Sequence, residues 1–94
     1  MSAELGEVFL EREYDVDGRE GAAVLRIGRP AEHPEGDWYC PFQIAGLRDD
    51  EVYEACGVDS LQALSMCLQM ARAQLQSYRK SHQITWLGAD GLGL

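Results

Sequence analysis

The hydrophobic pattern of the chain changes period once. From Glu7 to Val16, Val8, Leu10, Tyr14 and Val16 alternate with Glu11, Glu13 and Asp15. Period two with one acidic row predicts a strand that is buried on one face and wet on the other. Phe9 falls on the acidic side and breaks the pattern. Arg12 falls among the apolar positions, where its stem can lie along the core or its guanidinium can meet a cross-strand acid. Asp17-Gly18 is a hairpin dipeptide, because glycine accepts positive φ. Ala23, Leu25 and Ile27 then resume the alternation as a second, antiparallel strand. Arg29 to Gly36 carries two prolines and reads as a loop. Trp38, Cys40, Phe42 and Ile44 stand at every second position and predict the clearest strand. Pro41 on its other face argues for an edge position, a bulge, or an N–H side turned to solvent. Gly46 to Asp50 reads as a turn. Glu51 to Cys56 can be written as a short strand or one helical turn, and Val52 with Tyr53 favours the strand.

After Gly57 the period becomes 3.6. Leu61, Leu64, Leu68, Ala71, Leu75 and Tyr78 step by three and four, a stripe down one helix face. Asp59 is placed as N-cap, Gln62 completes a capping-box pair, and Val58 can staple onto Ala63. Arg79, Lys80 and His82 follow where the helix dipole favours cations. Ile84 to Gly88 predicts a short last strand at a sheet edge.

These elements predict one α+β domain over residues 1–94: an antiparallel sheet of three to four strands plus a short C-terminal strand. A single long helix over about residues 59–82 covers one face, and residues 1–6 and 89–94 are expected as frayed tails. The expected core is Val8, Leu10, Tyr14, Leu25, Ile27, Trp38, Phe42 and Ile44 from the sheet, with Leu61, Leu64, Leu68, Ala71 and Leu75 from the helix.

Charge sharpens the picture. Sixteen acids against eight bases give −8, which weighs against binding nucleic-acid phosphates. Fourteen of the acids lie in residues 1–55, so the acidic surface belongs to the sheet. Its ordinary meaning is a solvated face; its sharper meaning is attraction of a basic partner. No apolar run approaches a membrane span, and the first residues lack the basic and apolar regions of a signal peptide. Cys40, Cys56 and Cys67 have no zinc-type spacing and suit a reducing cytosol.

Candidate chemistry is sparse. His33 lies in a loop with Glu32, Glu35 and Asp37, where a metal site or acid–base pair can be imagined, though a solvated loop explains the same residues. His82 suits the helix dipole. Asp59-Ser60-Leu61 opening a helix is similar to the phosphopantetheine attachment site of acyl carrier proteins. Carrier domains are helical bundles, however, and residues 7–46 alternate at period two; a plain cap needs the same letters. Met66 and Met70 form a strip beside the main helix stripe and are candidates for contact with a partner or a second copy.

The residues Cys40-Pro41-Phe42-Gln43-Ile44 with Gly46, then Gly57 to Leu64, then Thr85-Trp86-Leu87-Gly88, together resemble a family of small bacterial proteins known as a domain of unknown function. The resemblance covers residues 38–88. It implies a bacterial cytosolic single-domain protein and implies no activity, so no functional residue is carried over. The expectation is a non-enzymatic, acidic, cytoplasmic protein with no cofactor or metal, no nucleic acid and no membrane as partner. It serves as a protein-interaction module through Glu11, Glu13, Asp15, Met66 and Met70. The alternatives are an immunity- or antitoxin-like inhibitor of a basic protein, and a carrier with Ser60 as attachment site.

Overall fold

A computed structural model describes residues 4–47, 50–87 and 91–94. Asp17 and Gly18 take φ of 52° and 79°, the positive pair that a type I′ turn requires. Strand β1 (Val8–Val16) therefore returns directly as β2 (Arg19–Gly28), antiparallel. Then follow β3 (Ala31–Glu32), β4 (Trp38–Ala45), β5 (Val52–Gly57), the helix α1 (Ser60–Tyr78) and β6 (Ile84–Thr85). One edge of β4 carries β2 and, in line with it, β3; the other edge carries β5. Strand β6 pairs with β1 only at Asp15↔Thr85 and Val16↔Ile84. Across the sheet the order is β5, β4, β2 with β3, β1, β6, all antiparallel.

The described residues thus hold six strands, more than the three to four and a terminal one read from the pattern. The addition is β3, two residues in the stretch read as a loop, too short to show a period. Pro41 lies on β4, an interior strand and not an edge. Between Ile27↔Phe42 and Ala31↔Tyr39, three residues (Gly28, Arg29, Pro30) face two (Cys40, Pro41). The ladder is interrupted by this bulge, where a residue without an N–H can be placed.

The helix packs on β4 and β5. Its seam against the sheet is Ala63, Cys67, Ala71 and Leu75, all fully buried. The expected stripe is therefore rotated: Leu64 and Leu68 are half-buried on its flank, and Leu61 is 74% exposed. Small residues explain the rotation. Gly57 lies so close beneath Ala63 that a Cβ at 57 would collide with the Ala63 backbone, an approach that leucines in the seam would prevent. Leu64 and Leu68, too bulky for that seam, flank it.

Three other expected core residues sit outside it. Val8 is 41% and Leu10 43% exposed, and Trp38 is half-buried against the core. The register shifts between Val8↔Gly28 and Leu10↔Ile27, so a bulge at Phe9 turns Val8 out of the core row. Leu10 keeps its row but lies beyond the reach of the helix.

The Asp59 carboxylate accepts the Gln62 N–H (2.8 Å), and the Gln62 side-chain oxygen accepts the Val58 N–H (2.7 Å). The reciprocal cap thus forms, whereas Val58 stays exposed and makes no staple. The helix stops at Tyr78, short of residue 82. Asp17 explains the stop: its carboxylate takes His82 Nδ1 and the Gln83 N–H, both at 2.8 Å, and ties the chain to the first hairpin. His82 therefore serves Asp17 instead of the helix end. The Arg79 guanidinium donates to the Ile84 carbonyl (2.9 Å).

The tail expected to fray is held where it is described. Leu92 is buried, its carbonyl accepts from Tyr14 Oη at 2.7 Å, and Arg12 donates to the Leu92 and Gly93 carbonyls. Residues 1–3 and 89–90 of the expected tails lie outside the described residues. Among the described residues no helix is long and apolar enough to cross a membrane.

Candidate interaction surface

One helix is too narrow for this sheet. It sits over β4 and β5, so the same face of β1 and β2 relies on the tail for cover. Leu92, buried and bonded through its carbonyl to the Tyr14 hydroxyl, closes one end. At the other end a groove of about 320 Å³ remains, lined by the apolar Leu10, Leu25, Ile27, Leu68 and Leu94 together with Glu11, Arg12 and Gly93. Arg12 forms its rim. Its guanidinium stacks 3.8 Å from the Trp86 ring and donates to the tail carbonyls. The expected pairing of Arg12 with a cross-strand acid is thus replaced by a clamp that fixes the tail.

The opposite face of β1 carries the acidic row. Glu11, Glu13, Asp15 and Glu20 line a second depression, of about 520 Å³, with Trp86 and Leu87 at its side. Glu11 pairs with Arg26 at 3.2 Å, and Asp15 accepts the Gly21 N–H at 3.0 Å. Gly21 has φ of 63° at a bulge where Glu20, Gly21 and Ala22 face Asp15. Asp15 therefore has a structural duty, whereas Glu13 presents its carboxylate to solvent beside Gly21.

Between the two depressions runs the outer edge of β1. Strand β6 covers only Asp15 and Val16, so residues 8–13 have no strand partner on that side among the described residues. Val8, Phe9 and Leu10 are exposed there, Phe9 by half and 4.9 Å from Arg29. The stretch contains neither lysine nor proline; Glu11, Arg12, Glu13 and the bulge at Phe9 are its protection against indiscriminate pairing.

The structure does not join all the residues singled out from the sequence. Glu11, Glu13 and Asp15 share one depression, but Met66 and Met70 sit on the helix, across the sheet from it. Met66 is exposed and Met70 packs against the core. Helical geometry puts both on the flank away from Leu64 and Leu68, so they do not border the groove. The groove itself was missed, and its signal was the Leu92 and Leu94 pair in a glycine-containing tail that was expected to fray.

The remaining candidates are placed as follows. His33 stacks on Tyr39 with ring centres 4.3 Å apart, and its backbone closes a turn with Gly36 and Asp37. Among the described residues no three of His, Cys, Asp and Glu converge as metal ligands would. Cys40 and Cys67 are buried together in the seam, and Cys56 is exposed. The hydrogen bond to Cys40 and burial push the Cys67 thiol far above its ordinary range, which keeps it protonated. Ser60 is exposed at the first helical position beside its capping Asp59.

The fold and this surface define a small antiparallel α+β domain with one half-covered face and, among the described residues, an unpaired stretch on one edge strand. The chain belongs to the family described as a domain of unknown function, DUF6968, whose pattern it matches over residues 10–94. No curated protein and no solved structure matches it.

Proposed function

We propose that the protein is a non-enzymatic interaction module of the bacterial cytoplasm that receives a protein partner at the outer edge of β1. The supporting observation is the stretch of residues 8–13, which has no strand partner on its outer side among the described residues, with Val8, Phe9 and Leu10 exposed beside a groove that one helix leaves uncovered. Exposed apolar residues clustered at an open strand edge are a liability unless something covers them. A second reading, an immunity- or antitoxin-like inhibitor of a basic protein, draws its support from the four carboxylates on the other side of that edge. Both readings use the same surface and differ in what the partner does.

The test is photo-cross-linking in cells. Benzoylphenylalanine replaces Phe9 at the edge in one strain and Gln69, on the outer face of α1, in another. Defined protein adducts from position 9 and none from 69 are expected. No adduct at 9, or the same adducts from both positions, refutes the proposal.

A further inference from the structure

We propose that the occupant of the β1 edge is an extended segment whose side chains alternate between basic and apolar, added antiparallel as the next strand of the sheet. This rests on the reading of that edge as a docking site and adds the chemistry of what docks. The stretch of residues 8–13, without a strand partner on its outer side among the described residues, is about 20 Å long, an ordinary strand length. Its two sides differ in chemistry. The groove, mostly apolar, opens beside Leu10 on the helix side, and the depression of Glu11, Glu13, Asp15 and Glu20 opens on the other, with Glu11 and Arg12 bordering both. A strand laid along the edge sends successive side chains to opposite faces. One row therefore lies at the mouth of the apolar groove and the other beside the carboxylates. Main-chain hydrogen bonds supply affinity, and the contrast between the two rows supplies specificity.

The charges on the page favour this occupant over a second copy. Each chain carries −8, so two copies repel. In antiparallel self-pairing, cross-strand partners share a face, so Glu11 meets Glu11 or Glu13 in the registers centred on residues 11 and 12. The register centred on Leu10 avoids this, but it overlaps only around Val8 to Arg12. Among the described residues Glu11 is held by an exposed pair with Arg26, a class worth little, so it can be given up to an incoming cation. Glu13 faces solvent already.

The probe is the synthetic peptide acetyl-KVKIKVK-amide, titrated into the full ¹⁵N-labelled chain and followed by amide chemical shifts and hydrogen exchange. Two controls accompany it: a block-ordered peptide of the same composition, and acetyl-EVEIEVE-amide. The expected result is shifts at residues 8–13, at the Trp86 indole and at Leu94, slowed exchange within residues 8–13, and at least tenfold tighter binding than either control. Glu11→Lys/Glu13→Lys, with its fold checked by circular dichroism, should lose at least tenfold for the basic peptide. It should gain for the acidic one. Equal binding of the block-ordered peptide means charge attraction alone and overturns the proposal. Equal binding of the acidic peptide at the same residues overturns the proposed chemistry and leaves the edge as a docking site. No binding of any peptide, with position 9 still forming cellular adducts, again overturns the strand chemistry alone. Shifts centred on α1, or dimerisation through residues 8–13 seen by sedimentation, also overturn it.

Discussion

Replacing Ala63 with leucine should destabilise the fold, whereas replacing Leu61 with alanine should leave it nearly unchanged. Ala63 is fully buried against the sheet, beneath it Gly57 has no room for even a Cβ, and Leu61 is 74% exposed. Leucine adds three carbons at 63. With space to receive them they would contribute about 0.8 kcal/mol each. Without that space the helix must lift or the side chain leave its rotamer, a cost of about 1–3 kcal/mol. At 61 only about a quarter of the side chain is buried, so its loss costs roughly 0.4–0.8 kcal/mol, partly offset by the higher helix propensity of alanine. A leucine truly in the seam sets the scale: Leu75→Ala should cost about 2–5 kcal/mol. Urea unfolding followed by far-ultraviolet circular dichroism measures all three, at an expected slope of about 1–3 kcal/mol per molar urea. The reasoning fails if Leu61→Ala costs as much as Leu75→Ala, or if Ala63→Leu is neutral. Either result would put the leucine stripe against the sheet.

Four further outcomes follow from the geometry. Tyr14→Phe removes the bond to the Leu92 carbonyl, but Arg12 still donates there, so the cost should be only about 0.5–1.5 kcal/mol; faster hydrogen exchange at residues 91–94 should accompany it, and unchanged exchange would argue against the clamp. Asp17 is held below the ordinary carboxylate range, first by its bond to His82 and then by the Gln83 amide. Its stabilising contribution is therefore complete above about pH 4 and lost as pH falls through the lowered value; the stability gap between the wild type and Asp17→Asn, which keeps a residue tolerant of positive φ, should close on acidification, and a constant gap would contradict this. Of the three thiols only Cys56 is exposed, so a disulfide reagent should label one rapidly in the native protein and all three in denaturant, with rapid labelling of Cys67 as the refuting result. Asp59→Ala should cost about 0.5–2 kcal/mol and Ser60→Ala almost nothing; with coenzyme A and a broad-specificity phosphopantetheinyl transferase the intact mass should stay unchanged, and a Ser60-dependent gain would establish the carrier reading instead.

The parts of the fold that repeat were readable from the sequence. In Trp38 to Ile44 and Ala23 to Ile27 the core-facing residues fall at every second position, as the pleat requires, and Asp17-Gly18 and Asp59 mark their turn and cap through local chemistry alone. What depends on distant neighbours was not readable. The seam of α1 is set by how closely Ala63 can approach Gly57, a fact about two elements that no period within one of them records. Phe9, the blemish in the first strand, was the visible trace of a bulge whose effect on Val8 appears only in the register with β2. The end of the helix was hidden because Asp17, far off in sequence, captures His82 and Gln83. For the candidate surface, the acidic row was legible as a row, but the open edge and the apolar groove exist only because β6 is short and the tail covers one end of the sheet.

The central claim is that a partner occupies the outer edge of β1, and hydrogen exchange measures that edge directly. The full chain, alone and bound to the partner captured through position 9, is compared amide by amide. Slowed exchange concentrated in residues 8–13 and extending to Gly93 and Leu94, with Val58 to Leu61 unchanged, is the predicted result. Protection centred on α1 or on β5, with residues 8–13 exchanging as in the free protein, would contradict it.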